Sequence, residues 1–204
     1  IPYIEPGPNA LDIKYVVVVR NPEEALVSLK PFIAGHSQAF FDYWKVPKGI
    51  FERETFAEYY RDVLANMPHA EMFFGFLANW WPLRNMPNVR LLHFSELKNN
   101  PNSVIPALAD FLGFSPTKEQ WPKILEYCSF DWMKKHQEKF EMQHVLGFPM
   151  LDSGAMVRKG AVGAAKEDGM TAEIAAEFRA KGAALIKNPK VLDWFYNGGK
   201  RPED

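Results

Sequence analysis

The chain has 204 residues, 24 Lys and Arg against 25 Asp and Glu, and an apolar fraction of 47%, the profile of an ordinary globular protein. Near-neutral charge argues against a nucleic-acid-binding face; a single Cys excludes a disulfide-stapled scaffold, and no Cys/His grouping has zinc spacing, so no metal site is expected. The longest unbroken apolar run is the five residues Tyr15 to Val19, against roughly 20 for a bilayer span, so no membrane partner is expected.

Ile13 to Val19 is a β-branched run without alternation, the pattern of a strand buried on both faces of a parallel sheet. It stops at Arg20. Asn21 as cap, Pro22 at the first helical position and two acids, Glu23 and Glu24, then start a helix. That helix carries Ala25, Leu26, Leu29 and Phe32/Ile33 at helical spacing until Gly35 ends it. Ser37 to Lys48 reads as aromatic and irregular. Thr55 to Leu64 reads as a modest helix, and Asn66-Met67-Pro68 opens another that runs to Trp80-Trp81. Val89 to Phe94 is a second short strand, followed by a turn or short helix over Ser95 to Lys98. Helices are expected over Ser103 to Leu112, Thr117 to Tyr127 and Ser129 to His136. Glu138 to Gly163 has no periodicity, four glycines and a proline, and reads as a long functional loop. A last helix is expected from Thr171 to Lys187.

Strand, short turn and helix at residues 13–35 make half of a βαβ unit, so the class is α/β. Two strands are few for that class, because a two-stranded parallel sheet does not stand alone. Either further strands come from residues before Ile1 or some strands escape this reading. The start at Ile1 rather than Met suits the first alternative: one domain over residues 1–204, incomplete at its amino terminus.

There is no GxxxxGK[ST], GxGxxG or GxSxG in the chain, and no carboxylate pair that spacing forces together. Arg20 lies at the carboxyl end of a parallel strand, where open α/β sheets bind ligands, with Ser28 on the helix that follows. An Arg fork and a hydroxyl suit phosphate or sulfate; a strand-end Arg paired with a surface acid is the other reading. Arg158-Lys159-Gly160 could cradle an anion, yet about three adjacent basic pairs are expected by chance in such a chain, so the pair alone decides nothing. Phe94 and Phe130 sit beside polar turns where a ring can stack on a purine, or they belong to a core. Among the histidines, His36 and His93 are the best placed for chemistry.

Together these residues fall into one order, which resembles the sulfotransferase family of the cytosolic type. Tyr15-Val-Val-Val-Val-Arg20-Asn21-Pro22-Glu-Glu-Ala-Leu-Val-Ser28 is similar to the family's strand-plus-helix, whose Arg and the Ser eight residues on hold the 3′-phosphate of the sulfuryl donor. Leu91-Leu92-His93-Phe94-Ser95-Glu96-Leu97-Lys98-Asn99-Asn100-Pro101 resembles the segment whose Tyr, here Phe94, lies by the adenine. Ser129-Phe130-Asp131-Trp132-Met133-Lys134 resembles the Ser-Phe-x-x-Met-Lys motif that frames the same ring. Arg158-Lys159-Gly160 with Gly163 resembles the Arg-Lys-Gly loop that closes over the 3′-phosphate. The family's Gly-Asp-Trp-Lys is replaced by Gly163-Ala164-Ala165-Lys166. Its dimer motif survives as an echo in Lys166, Thr171 and Glu177, one residue out of step, so a homodimer stays open. His36 matches a segment that lines the acceptor pocket in some members.

The resemblance implies a P-loop-like α/β fold, a central parallel sheet flanked by helices with its amino-terminal strands outside this chain. It implies transfer of a sulfuryl group from 3′-phosphoadenosine 5′-phosphosulfate to a hydroxyl or amine of a small-molecule acceptor, without a metal. Donor contacts are expected from Arg20, Ser28, Phe94, Ser129, Phe130, Met133, Arg158, Lys159 and Gly160, and an acceptor contact from His36. The family's phosphosulfate-loop Lys and its general-base His precede the equivalent of Ile13, and the twelve residues there contain neither Lys nor His. These 204 residues are therefore expected to be inactive alone. Two alternatives are a non-catalytic module that binds a nucleotide bisphosphate and a P-loop kinase of related fold. The single Cys128 and the resemblance suggest a cytoplasmic home. The aromatic stretches Phe32 to Trp44 and Phe140 to Leu151 suit either an apolar acceptor or a core.

Overall fold

The computed structural model describes residues 13–160, 163 and 165–203. In chain order the elements are β1 (Tyr15–Val19), α1 (Pro22–Ala34), α2 (Gln38–Tyr43), α3 (Phe56–Asp62), a π-helical turn (Glu71–Gly75), α4 (Phe76–Trp80), β2 (Val89–His93), α5 (Phe94–Asn99), α6 (Pro101–Leu112), α7 (Trp121–Tyr127), α8 (Phe130–Lys135), α9 (Ala172–Leu185) and α10 (Pro189–Asn197). They fall into two compact units. The first takes the chain up to Ala25, Pro68–Pro116 and everything from Ala172; the second takes Leu26–Met67 and Thr117–Thr171. Helix α1 carries the boundary.

In the first unit β1 and β2 pair in parallel, in register from Tyr15↔Val89 to Val19↔His93. Val17, Val19, Val89, Leu91 and Leu92 are buried, but Val16 and Val18 are 38% and 43% exposed. The expectation of a β1 covered on both faces is thereby corrected. Successive side chains point to opposite sides of a strand, and one side of β1 is open. Asn21 caps α1, its Oδ1 accepting from the backbone N–H of Glu23 at 2.9 Å and Glu24 at 3.2 Å.

Helix α9 packs closely on the π-helical turn. Gly182 permits this, since a Cβ there would lie 2.4 Å from the Phe74 ring. Phe74, Phe178, Trp194 and Phe195 are buried with Leu77 and Ile174 as the unit's aromatic core. Helix α10, beyond the expected last helix, was missed, although it carries a local start signal: Asn188 caps it by accepting from the Lys190 N–H at 3.0 Å, with Pro189 at its start. This is the Asn-Pro signal that opens α1. The helix expected to run up to Trp80-Trp81 is present as one continuous helical stretch from His69, with a π-helical turn at Glu71–Gly75 and a closing 3₁₀ turn over Trp81–Leu83.

In the second unit the segment read as irregular contains α2, started by Ser37, whose Oγ accepts from the Phe40 N–H at 3.1 Å. Helix α3 has a reciprocal cap. Thr55 Oγ1 accepts from the Glu58 N–H at 3.2 Å, and the Thr55 N–H donates to Glu58 Oε2 at 2.9 Å. Phe41, Phe56, Tyr59, Tyr60 and Leu64 are buried here. The helix expected over Thr117 to Tyr127 begins only at Trp121, because Thr117 and Gln120 close a local turn, the Thr117 N–H donating to Gln120 Oε1 at 2.8 Å. The long loop after α8 has partial order, with isolated bridges Gln143↔Pro149 and His36↔Leu151.

Candidate functional site

Each unit carries its own set of the residues singled out by sequence. In the first unit the parallel register ends at Val19↔His93, so the next residues, Arg20 and Phe94, leave the sheet side by side at its carboxyl edge. The Arg20 guanidinium carbon lies 5.0 Å from the Phe94 ring centre, a cation–π distance. Arg20 Nε donates to Glu24 Oε2 at 2.9 Å; the Arg20 side chain is 32% exposed and that of Glu24 only 4%. Arg20 therefore has an acidic partner, a buried one rather than the surface acid of the alternative reading, and it stands at the carboxyl edge of the sheet against an aromatic ring. The partner was missed as a site residue, although its i,i+4 spacing was in view.

His93, the other histidine noted from sequence, is committed to structure. Its Nδ1 accepts from the Ser95 hydroxyl at 2.7 Å and backbone N–H at 3.2 Å, and Nε2–H donates to the Phe195 carbonyl at 3.2 Å. Burial pushes its pKa below the ordinary histidine value, outweighing the Phe195 carbonyl and the nearby Glu96 and Glu24.

In the second unit Ser28 lies half-buried on α1 and Met133 half-buried on α8. Ser129 caps α8. Its Oγ accepts from the Trp132 N–H at 3.2 Å and donates to the Glu126 carbonyl at 2.6 Å, so the hydroxyl's place is at a helix start, which sets the direction of Phe130. The two motifs that sequence left apart are joined here. Gly160 has φ +59°, and a Cβ on it would fall 2.3 Å from Phe130 Cδ2, so only glycine lets the Arg158-Lys159-Gly160 turn lie on that ring. At the other end of α8, Lys134 Nζ donates to the Val157 carbonyl at 2.6 Å. Helix α8 thus holds the basic turn at both ends.

Lys159 Nζ bonds to Asp168 Oδ1, and Arg158 Nη2 lies 3.6 Å from Asp168 Oδ2. Burial raises the Asp168 pKa, but Lys159 and Arg158 outweigh it and hold the carboxyl below its usual range. Two cations already converge on one oxyanion, which is what a phosphate requires of them. Asp168 was not foreseen; no spacing rule ties it to the basic pair.

His36 is 6% exposed. Its Nδ1 lies 3.0 Å from the Phe32 carbonyl and 3.2 Å from that of Ile33, so Nδ1 carries the proton and Nε2 is the basic nitrogen. Phe32 meets the ring edge-on at 5.0 Å and Phe40 lies at 4.2 Å. Among the described residues no group of three or more His, Cys, Asp or Glu side chains is placed to hold a metal ion, and no helix is long and apolar enough to cross a membrane.

Residues 7–187 match the sulfotransferase domain family, and the chain belongs to that family. It is 28% identical over 151 residues to human sulfotransferase 2A1, covering 74% of this chain and 48% of that protein. It is 29% identical over 157 residues to luciferin sulfotransferase of Photinus pyralis, covering 72% of this chain and 37% of that one. Among solved structures it resembles mouse sulfotransferase SULT7A1 complexed with PAP, with TM-score 0.65 and 22% identity over 92% of this chain and 62% of that chain. Retinol dehydratase in complex with androsterone and inactive cofactor PAP is similar at TM-score 0.59 and 20% identity, over 89% of this chain and 50% of that chain. The fold is the P-loop-like α/β fold of sulfotransferases, a parallel sheet with flanking helices. The chain spans about half the length, or less, of the curated relatives it matches.

Proposed function

We propose that these residues form the donor-binding part of a sulfotransferase acting from 3′-phosphoadenosine 5′-phosphosulfate on a hydroxyl or amine of a small-molecule acceptor. The observation that carries this reading is the register of β1 and β2, which sets Arg20 against Phe94 at the carboxyl edge of the sheet. It joins two family motifs far apart in sequence at the edge where α/β sheets bind ligands.

The fit to such a donor is chemical. In the first unit Arg20 offers positive charge and N–H donors suited to a 3′-phosphate, and in the second unit Arg158 and Lys159 offer the same, with Ser28 a hydroxyl. Gly160 brings the backbone close, while Phe94, Phe130 and Met133 offer apolar faces to an adenine, with Ser129 fixing the start of α8. When bound, the donor supplies the sulfuryl group and a stable bisphosphate leaving group. The protein's part in such a displacement is positioning and charge stabilisation. His36, with Nδ1 anchored on the backbone, has Nε2 as the nitrogen that accepts a hydrogen bond from the acceptor's hydroxyl or amine.

The Lys and His that the resemblance assigns to the leaving oxygen and the acceptor proton are not among these residues. The 204-residue chain therefore binds donor and does not turn it over. Calorimetric titration with adenosine 3′,5′-bisphosphate, together with a transfer assay using radiolabelled donor and a phenol, tests both halves. Binding without product is the expected result. Absence of binding overturns the donor-site reading, and sulfated product overturns the division of labour.

A further inference from the structure

Glu24 carries one of the most deeply buried carboxylates of the first unit, with its side chain 4% exposed, and none of the roles above uses it. An ionised carboxylate removed from water needs a fixed cationic partner. Here the partner is Arg20, held by a 2.9 Å bond from its Nε to Glu24 Oε2. The two ends of this pair are unequal. Glu24 is fixed from below, because the Asn21 side chain accepts from its backbone N–H at 3.2 Å and from that of Glu23 at 2.9 Å. The Asn21 amide in turn donates to the Tyr196 carbonyl on α10 at 2.8 Å. Arg20 is the outer member, 32% exposed, with its guanidinium 5.0 Å from the Phe94 ring centre.

Without such a tether an arginine has several rotamers to choose from, and ordering it on ligand binding costs free energy. Bonding at the Nε edge fixes the plane of the guanidinium.

We propose that Glu24 is a positioning residue, which locks the Arg20 guanidinium in place over Phe94 so that it is preorganised for the 3′-phosphate of the donor. The proposal rests on the donor-binding reading above and adds to it a residue that contacts Arg20 and not the ligand. It also makes an unusual claim about sign. By charge alone, a carboxylate beside a phosphate-binding arginine weakens phosphate binding, so removing it would tighten the complex. As a tether, it strengthens binding, so removing it loosens the complex.

Glu24→Ala, Glu24→Gln and Arg20→Ala separate the two effects, titrated with adenosine 3′,5′-bisphosphate and with adenosine 5′-monophosphate. Glu24→Gln keeps an amide oxygen that accepts from Nε–H while removing the charge. The expected result is a loss of about tenfold in bisphosphate affinity for Glu24→Ala, the scale of one charge-assisted hydrogen bond. Glu24→Gln is expected to bind the bisphosphate as well as the unaltered chain or better, and all three variants to keep their 5′-monophosphate affinity. Bisphosphate binding undiminished in Glu24→Ala but lost in Arg20→Ala overturns the positioning role and leaves the donor site standing. An equal loss in Glu24→Ala and Glu24→Gln, or a parallel loss of 5′-monophosphate binding, also overturns it, since either marks damage to the fold. Bisphosphate binding undiminished in Arg20→Ala overturns the donor-site reading beneath it.

Discussion

Gly160 and Asp168 control the basic turn by opposite means, one steric and one electrostatic. Gly160 has a left-handed backbone angle, and a Cβ there would overlap the Phe130 ring. Gly160→Ala should therefore displace the Arg158-Lys159 turn and lower bisphosphate affinity by about tenfold or more, as read by titration. Asp168 neutralises part of the same turn, so Asp168→Asn should raise bisphosphate affinity at neutral pH; unchanged affinity would show that the ion pair does not compete with the ligand. Because the Asp168 pKa is held low in the fold, the ion pair's stabilisation is complete above the unfolded value near about 3.9. It is lost as pH falls through the folded value. At this scale the sequence offers candidates and is silent about their partners. Arg20, Phe94, Phe130 and Gly160 could be put forward because each belongs to a motif with fixed spacing. Asp168 was not, because its pairing depends on how a long loop returns on itself.

At the level of elements, close approaches and caps decide what the chain tolerates. Gly182→Ala would push α9 off the Phe74 ring, since the new Cβ would lie 2.4 Å from it, and should cost about 1–3 kcal/mol in urea denaturation. His93 ties the start of α5 to α10 through Ser95 and Phe195. Its pKa is depressed by burial, so the unfolded chain binds the proton first. Stability is intact above the unfolded value near about 6.5 and falls as pH drops through the folded value. Denaturation at a series of pH values should show this decline in the unaltered chain and lose it in His93→Gln; the same slope in both would exclude His93 as its source. Elements with a local signal were found by reading alone: β1 from its valines, α1 from Asn21-Pro22, α8 from its Ser129 start. The burial of β1 was overestimated, because an unbroken apolar run does not say how many faces are covered. Helix α10 was passed over although Asn188-Pro189 repeats the α1 signal, its short length hiding its periodicity.

Taken as a whole molecule, the chain belongs to the sulfotransferase family over residues 7–187, and its proposed role is to bind the donor by its 3′-phosphate. The fold class followed from one strand-turn-helix and the order of four motifs. The pairing of β1 with β2 did not, since parallel strands meet across a long crossover that no local pattern encodes. Under the proposed reading, a preference for a 3′-phosphate is the property expected of Arg20 in the first unit and of the Arg158-Lys159-Gly160 turn in the second. The most direct measurement is a parallel titration of the unaltered chain, Arg20→Ala and Lys159→Ala with adenosine 3′,5′-bisphosphate and adenosine 5′-monophosphate at one fixed salt concentration. The expected result is a preference for the bisphosphate of about tenfold or more in the unaltered chain, largely erased in each variant. Equal affinity for the two nucleotides in the unaltered chain, or a preference that survives in both variants, would contradict it.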